Sequence, residues 1–188
     1  MSVTSKVSQL FDLVDQREFR LCQSINQLLR YRPVRRYFSL VSRLGDGWLW
    51  YLIILAMPII DPERGLSIAL AMVTTGLLCT VLYKFLKHRL IRERPFISFK
   101  AINCAVPPLD RYSFPSGHTL HAVCFNTMLA VASPQLALVL LPFTVSVAAS
   151  RVVLGLHYPT DVAAGASIGG TLGVLATQPL VDLFSRTV

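Results

Sequence analysis

Residues 66–86 read LSIALAMVTTGLLCTVLYKFL, and this stretch decides the fold. It carries one formal charge, at Lys84. A bilayer core is crossed by roughly 20 helical residues, so the run predicts a membrane-spanning helix. Working outward, an apolar run over 40–60 predicts a span on the N-terminal side, joined through the polar turn Asp61-Pro62-Glu63-Arg64-Gly65. Arg43 and Asp46 lie near its start, where they reach the interface, and Trp48, Trp50 and Tyr51 suit the headgroup level. Three further spans are expected over 117–134, 136–154 and 162–182, with a turn at Ser133-Pro134-Gln135 between the first two. The last is rich in Gly and Ala, which permits close helix contacts. Residues 5–30 set Leu10, Leu13, Phe19, Ile25, Leu28 and Leu29 at helical spacing among charged and amide positions. That pattern predicts an amphipathic helix, too polar to span, within an interfacial segment 1–38 and broken at Tyr31-Arg32-Pro33. The expected architecture is an all-α integral membrane bundle of about five transmembrane helices plus an N-terminal surface helix. One domain should fill residues 1–188.

Composition agrees with a membrane chain: 53% of residues are hydrophobic and 15% charged, against about 25% charged in soluble domains. The net charge of +8 is gathered beside apolar spans. Such clusters report topology and anionic headgroups, not nucleic acid. Cys22, Cys79, Cys104 and Cys124 show no CxxC spacing, so neither a metal site nor a disulfide framework is expected. Asp12, Asp15, Arg17, Glu18 and Arg20 leave no apolar core for a cleavable signal peptide.

Alternating spans put the start of the first span, the 87–116 loop and the 155–161 corner on one side of the membrane. Three polar clusters therefore meet: Lys87 to Pro95, Ser113 to His118, and Ser150 to Asp161. Each alone has an ordinary explanation as a topology anchor, a helix-start turn or a chance spacing. Together they suit phosphate chemistry. Arg94 and Arg151 supply planar guanidinium donors and Lys87 a point charge. Ser116 and Gly117 precede a helix, whose N-terminal N–H groups can face an anion. Of two histidines, one can attack phosphorus while the other protonates the leaving alcohol and then activates water. Asp161, four residues after His157, can fix that ring's tautomer.

The patterns KxxxxxxRP, PSGH and SRxxxxxHxxxD, complete here across residues 87–161, closely resemble the three signature motifs of type 2 phosphatidic acid phosphatases. That superfamily also holds bacterial acid phosphatases and vanadium haloperoxidases. The resemblance implies metal-independent hydrolysis, without a cofactor, of a lipid phosphate or diphosphate through a phosphohistidine. It implies His157 as nucleophile, His118 as acid then base, and Asp161 as the orienter of His157. Lys87, Arg94, Ser116, Gly117 and Arg151 would bind the phosphate. Larger bacterial members commonly have six spans; five are counted here, as in the small undecaprenyl-diphosphate phosphatases. Phosphatidate, phosphatidylglycerol phosphate and polyprenyl mono- or diphosphates all remain candidate substrates. Alternatives are phosphotransfer from the same intermediate and a non-catalytic lipid-binding membrane protein, though the latter should have lost part of the set.

Other residues invite plainer readings. His88 adds interfacial polarity, His121 is a buried structural residue or lines the cavity, and Asp110 and Arg111 are loop surface or headgroup contacts. Two arguments oppose each other on orientation. The basic residues crowd the active-site side, which by the positive-inside rule is cytoplasmic. Family habit places the site on the periplasmic face of a bacterial inner membrane, and that placement is expected here.

Overall fold

The computed structural model describes residues 3–108 and 110–187, with side chains from Phe11 onward except Leu109. The side chain of Leu10, an expected amphipathic position, lies outside that set. Eight α-helices follow in order among the described residues: α1 Val3–Asn26, α2 Arg32–Arg43, α3 Leu49–Ile60, α4 Gly65–Arg89, a short α5 Pro95–Ser98, α6 Gly117–Ala132, α7 Pro134–Val153 and α8 Pro159–Ser185. Proline opens α5, α7 and α8 and sits second in α2, where a missing N–H costs nothing. Extended Tyr31 separates α2 from the tight turn that follows α1.

Among the described residues, three helical stretches are long and apolar enough to cross a membrane: Arg32–Ile60, Gly65–Arg89 and Pro134–Val153. Their outward faces carry Leu52, Leu55, Leu77, Val81, Leu138 and Val139, all well exposed. A surface so apolar suits hydrocarbon, not water. Helix α6 is enclosed instead: Leu120, Cys124, Met128 and Leu129 are fully buried, and α4, α7 and α8 pack around it.

Close contact of α6 with α8 follows from glycines four apart. A Cβ on Gly165 would lie 2.6 Å from the Ser116 carbonyl oxygen, and one on Gly169 only 2.2 Å from that of Leu120. These are backbone atoms that cannot step aside, so only glycine permits the approach. Gly170, next in sequence, would place its Cβ no nearer than 3.7 Å to a Val123 methyl. Gly169→Ala is therefore expected to lower the thermal midpoint in detergent by several degrees, and Gly170→Ala to leave it within a degree or two, as read by size-exclusion melting.

The structure differs from the expected first span in two respects. Trp50, expected with Trp48 and Tyr51 at the headgroup level, is buried in the core beside Phe125 and Phe143. A wide turn, Leu44–Trp48, interrupts the helical path inside that span. Gly47 takes φ +131, the left-handed region that favours glycine, so Gly45-Asp46-Gly47 bends the chain where an unbroken helix was expected.

Helix α1 exposes apolar side chains on one side. Leu13 and Leu21 point away from the protein, as does Leu28 in the turn that follows. The opposite face is less ordinary, because it buries Asp15 and Asn26 together with Cys22. Phe19 stacks on Phe99 at 4.4 Å between centroids, and Phe19, Cys22 and Ile25 form a small apolar cluster with Ile102 and Tyr158. The polar part of that face has partners inside the site.

Candidate active site

All three clusters converge at one end of the bundle. Lys87 closes α4, Arg94 precedes α5, Ser116 to His118 open α6, Arg151 ends α7, and His157 and Asp161 flank the start of α8. Lys87, Arg94, Ser116, Arg151, His157 and Asp161 are buried. Burying cations so completely requires partners.

The first partner is Asp110. Its carboxylate accepts from Lys87 Nζ at 2.8 and 2.7 Å and from Arg94 Nη2 at 2.9 Å, while its carbonyl accepts from Arg94 Nε at 2.9 Å. Burial would raise this carboxyl, but the hydrogen bonds and charges of Lys87 and Arg94 hold it below its ordinary value. Asp110 thus has a defined role in the site, not merely in the loop surface. Arg111, by contrast, is exposed, with Glu93 at 3.9 Å.

Arg94 also settles the state of His157. Its Nη1 lies 3.1 Å from His157 Nε2 and donates to the Leu156 carbonyl at 2.8 Å. A guanidinium only donates, so Nε2 must be the accepting nitrogen, with the imidazole proton on Nδ1. Burial, then Arg94, Arg151, Lys87 and His118, hold the His157 pKa well below its ordinary value. Asp161 Oδ2 faces Nδ1 at 3.5 Å, beyond a good hydrogen bond, and accepts from the Tyr158 N–H at 2.9 Å. The corner that makes this possible turns at Gly155, φ +75, where a Cβ would sit 2.6 Å from the Asn103 carbonyl.

Asp161 has a second partner that sequence reasoning missed. Arg92 Nη1 donates to its Oδ1 at 2.6 Å and to Thr160 Oγ1 at 2.7 Å. The rest of the guanidinium reaches α1: Nε and Nη2 donate to Asp15 Oδ1 at 2.8 and 2.5 Å, and Nη2 to Glu18 at 3.0 Å. Glu18 in turn accepts from the Thr160 N–H and hydroxyl. The polar face of α1 is therefore bound to the base of α8 through one buried arginine.

On the opposite side, Arg151 Nη1 donates to Ser42 Oγ at 2.5 Å, and its Nε has no protein partner. His118 Nε2 meets Asp46 Oδ1. The Ser116 N–H donates to the Asp161 carbonyl at 3.1 Å and its hydroxyl pairs with Thr119 at 3.0 Å, so both are engaged within the protein; Gly117 borders the cavity. His121 also borders it, with Nδ1 2.9 Å from the Gly117 carbonyl oxygen and Nε2 3.2 Å from Thr80 Oγ1. His88 is exposed, away from these contacts.

These groups line one end of a cavity of about 580 Å³. Lys87, Arg94, Arg151, His118 and His157 make its polar end; Trp50, Ile54 and Leu55 of α3 and Met72, Val73 and Leu77 of α4 make an apolar trough. From Lys87 to Met72 the trough follows α4 for roughly 22 Å.

A cationic pocket with a neutral, buried histidine, opening into an apolar trough between lipid-facing helices, defines an integral membrane phosphatase. The sequence matches the PAP2 superfamily over residues 64–183, and the chain belongs to that superfamily. It is 28% identical over 156 residues to an undecaprenyl-diphosphatase of Sulfolobus acidocaldarius, covering 81% of this chain and 75% of that one. It is 32% identical over 139 residues to the decaprenylphosphoryl-5-phosphoribose phosphatase of Mycobacterium tuberculosis, covering 72% and 74%. Among solved structures it resembles Aquifex aeolicus LpxE, with a TM-score of 0.72 and 27% identity over 85% of this chain and 93% of that one. It also shares its fold with a phosphatidylglycerolphosphate phosphatase from Bacillus subtilis, with a TM-score of 0.69 and 24% identity over 100% and 98%. The protein is a phosphatase of lipid phosphates.

Proposed function

We propose that the reaction runs through His157 Nε2 and that the substrate is a polyprenyl phosphate or diphosphate. The observation that carries the first part is Arg94 donating to Nε2, which makes that nitrogen the unprotonated one and places it at the cationic pocket, where phosphate would take over the Arg94 hydrogen bond. In the first step the N–P bond forms and the bond from phosphorus to the leaving oxygen breaks. His118 gives its proton to that oxygen. Water then attacks phosphorus, returns a proton to His118, and the N–P bond breaks. Lys87, Arg94 and Arg151 hold the phosphoryl oxygens, with the Gly117 N–H at the start of α6, while Ser116, bonded to the Asp161 carbonyl and to Thr119, braces that turn instead of binding phosphate itself. Asp161 steadies the Nδ1 proton.

The second part rests on the long apolar trough and on the two relatives named for polyprenyl substrates. Inorganic phosphate release by the detergent-purified chain, with a chelator present, tests it. The panel holds undecaprenyl diphosphate, phosphatidate, phosphatidylglycerol phosphate and a water-soluble phosphomonoester. Polyprenyl turnover at least tenfold above the others in kcat/KM is the expected result; equal or better turnover of a diacyl lipid would overturn the substrate class.

The five crossings in this reading are α2–α3, α4, α6, α7 and α8 in a single domain, with α1 on the membrane surface beside the site. Leu13, Leu21 and Leu28, turned away from the protein, support that placement of α1. The site is read as facing the periplasm from the inner membrane. Cys104 provides the test, because it is exposed on the active-site loop while Cys22, Cys79 and Cys124 are buried. A membrane-impermeant maleimide is expected to label Cys104 in cells whose outer membrane has been opened. Labelling only in inverted vesicles would place the site in the cytoplasm.

A further inference from the structure

Asp46 stands outside the three motifs and outside the residues matched to the superfamily. Yet its carboxylate oxygen Oδ1 meets Nε2 of His118, a partner 72 positions away in sequence. The wide turn before α3 makes the meeting possible. Gly47 supplies the left-handed backbone. At Gly45 an added Cβ would crowd Val147 at 3.1 Å, with the His118 ring next nearest at 3.7 Å, so the turn lies directly against the start of α6.

We propose that Asp46 is the positioning carboxylate of His118, turning that imidazole and favouring its protonated form at the moment the leaving oxygen needs a proton. The proposal rests on the reading of His118 as the acid. When the bond from phosphorus to oxygen breaks, the electron pair stays on the lipid oxygen, which must take a proton from His118. Only the imidazolium can supply one. The other groups around the ring work against that charge. Arg151 faces it from α7, His157 from the corner and His121 from one turn along α6, while Lys87 and Arg94 line the same cavity. Asp110, the other carboxylate bordering the cavity, is committed to Lys87 and Arg94. An opposite charge at hydrogen-bond distance favours the protonated ring. In the second step the same carboxylate stabilises the imidazolium that forms as water loses its proton.

The role predicts a dependence on leaving group that a merely structural residue would not show. In Asp46→Asn, kcat/KM for an alkyl phosphate, whose alkoxide must be protonated, is expected to fall about 100-fold or more. For p-nitrophenyl phosphate, whose phenolate departs without a proton, the fall should stay within about tenfold. The alkaline limb of the alkyl-phosphate profile should move toward lower pH, since His118 loses the charge that sustains its proton. Orthovanadate inhibition reports whether the phosphate pocket is intact. Equal losses on both substrates, or no loss on either, with vanadate inhibition intact, would overturn the proposal. Should vanadate inhibition also weaken, Asp46→Glu decides: recovery of the alkyl substrate supports the role, and no recovery overturns it. His118→Ala separates the two levels. If it leaves the alkyl-to-aryl ratio unchanged, the reading of His118 as the acid fails; if it shifts the ratio and Asp46→Asn does not, only the role of Asp46 fails.

Discussion

His157→Ala is expected to lower kcat by a factor on the order of 10⁴ or more, the scale of loss when a covalent nucleophile is removed. Wild-type enzyme quenched in alkali during turnover should carry phosphate that is stable to base and released by acid, the signature of a phosphorus–nitrogen bond. The variant should carry none. Two features make this ring suitable. Its Nε2 accepts from Arg94, which marks it as the unprotonated nitrogen, and burial among cations keeps the ring uncharged. The sign of that shift makes a further expectation. A depressed pKa keeps the nucleophile in its reactive form as pH falls through about 6.5, the ordinary imidazole value. Protonation of His157 in the free enzyme should therefore leave kcat/KM untouched until well below that pH. Phosphate retained on the alanine variant would place the covalent bond elsewhere.

Arg92→Met is the second change expected to have a large effect. Arg92 is almost wholly buried and joins Asp15 and Glu18 of α1 to Asp161. Its loss would strand these carboxylates in or near the protein interior, and removing one member of a buried ionic cluster costs about 3–5 kcal/mol. A marked drop in thermal midpoint in detergent should follow, with loss of most turnover, because Asp161 would be free to leave His157. Adding Asp15→Asn should restore part of the stability by neutralising one stranded charge, while leaving turnover low. A variant that melts like wild type would show that the apolar cluster around Cys22, not this network, docks α1.

Much of the site was legible in the sequence because its cations and histidines fall in short runs with fixed spacing. Lys87 and Arg94, Ser116 to His118, and Arg151, His157 and Asp161 can each be read locally, and helix alternation is enough to bring the runs to one membrane face. The partners that hold these residues were not legible. Arg92 reaches Asp15 across 77 positions, His118 reaches Asp46 across 72, and Arg151 reaches Ser42 across 109. No local pattern encodes such pairings. Two signals were nevertheless present. An acidic residue between two glycines in an otherwise apolar run, Asp46, is expensive in a membrane and calls for a function. Three basic residues in the run from Lys87 to Arg94 beyond the two of the motif, His88, Arg89 and Arg92, left more charge than topology alone requires. Helix α1 shows the same limit from the other side. Its charged positions look like a solvated face, yet Asp15 is buried against Arg92.

The glycine contact between α6 and α8 separates the enzyme into a fixed half and a variable one. With Gly165 and Gly169 touching the backbone of α6, a slide of one helix along the other would pull the Ser116 N–H from the Asp161 carbonyl and part the corners that carry His118 and His157. That half has little room to change. The trough is made mainly by side chains of α3 and α4, which take no part in that contact. Substitutions at Ile54, Leu55, Met72 or Val73 can reshape which hydrocarbon fits while the reacting groups stay where they are. Substrate range can thus diverge on one side of the molecule while the reaction stays constant on the other.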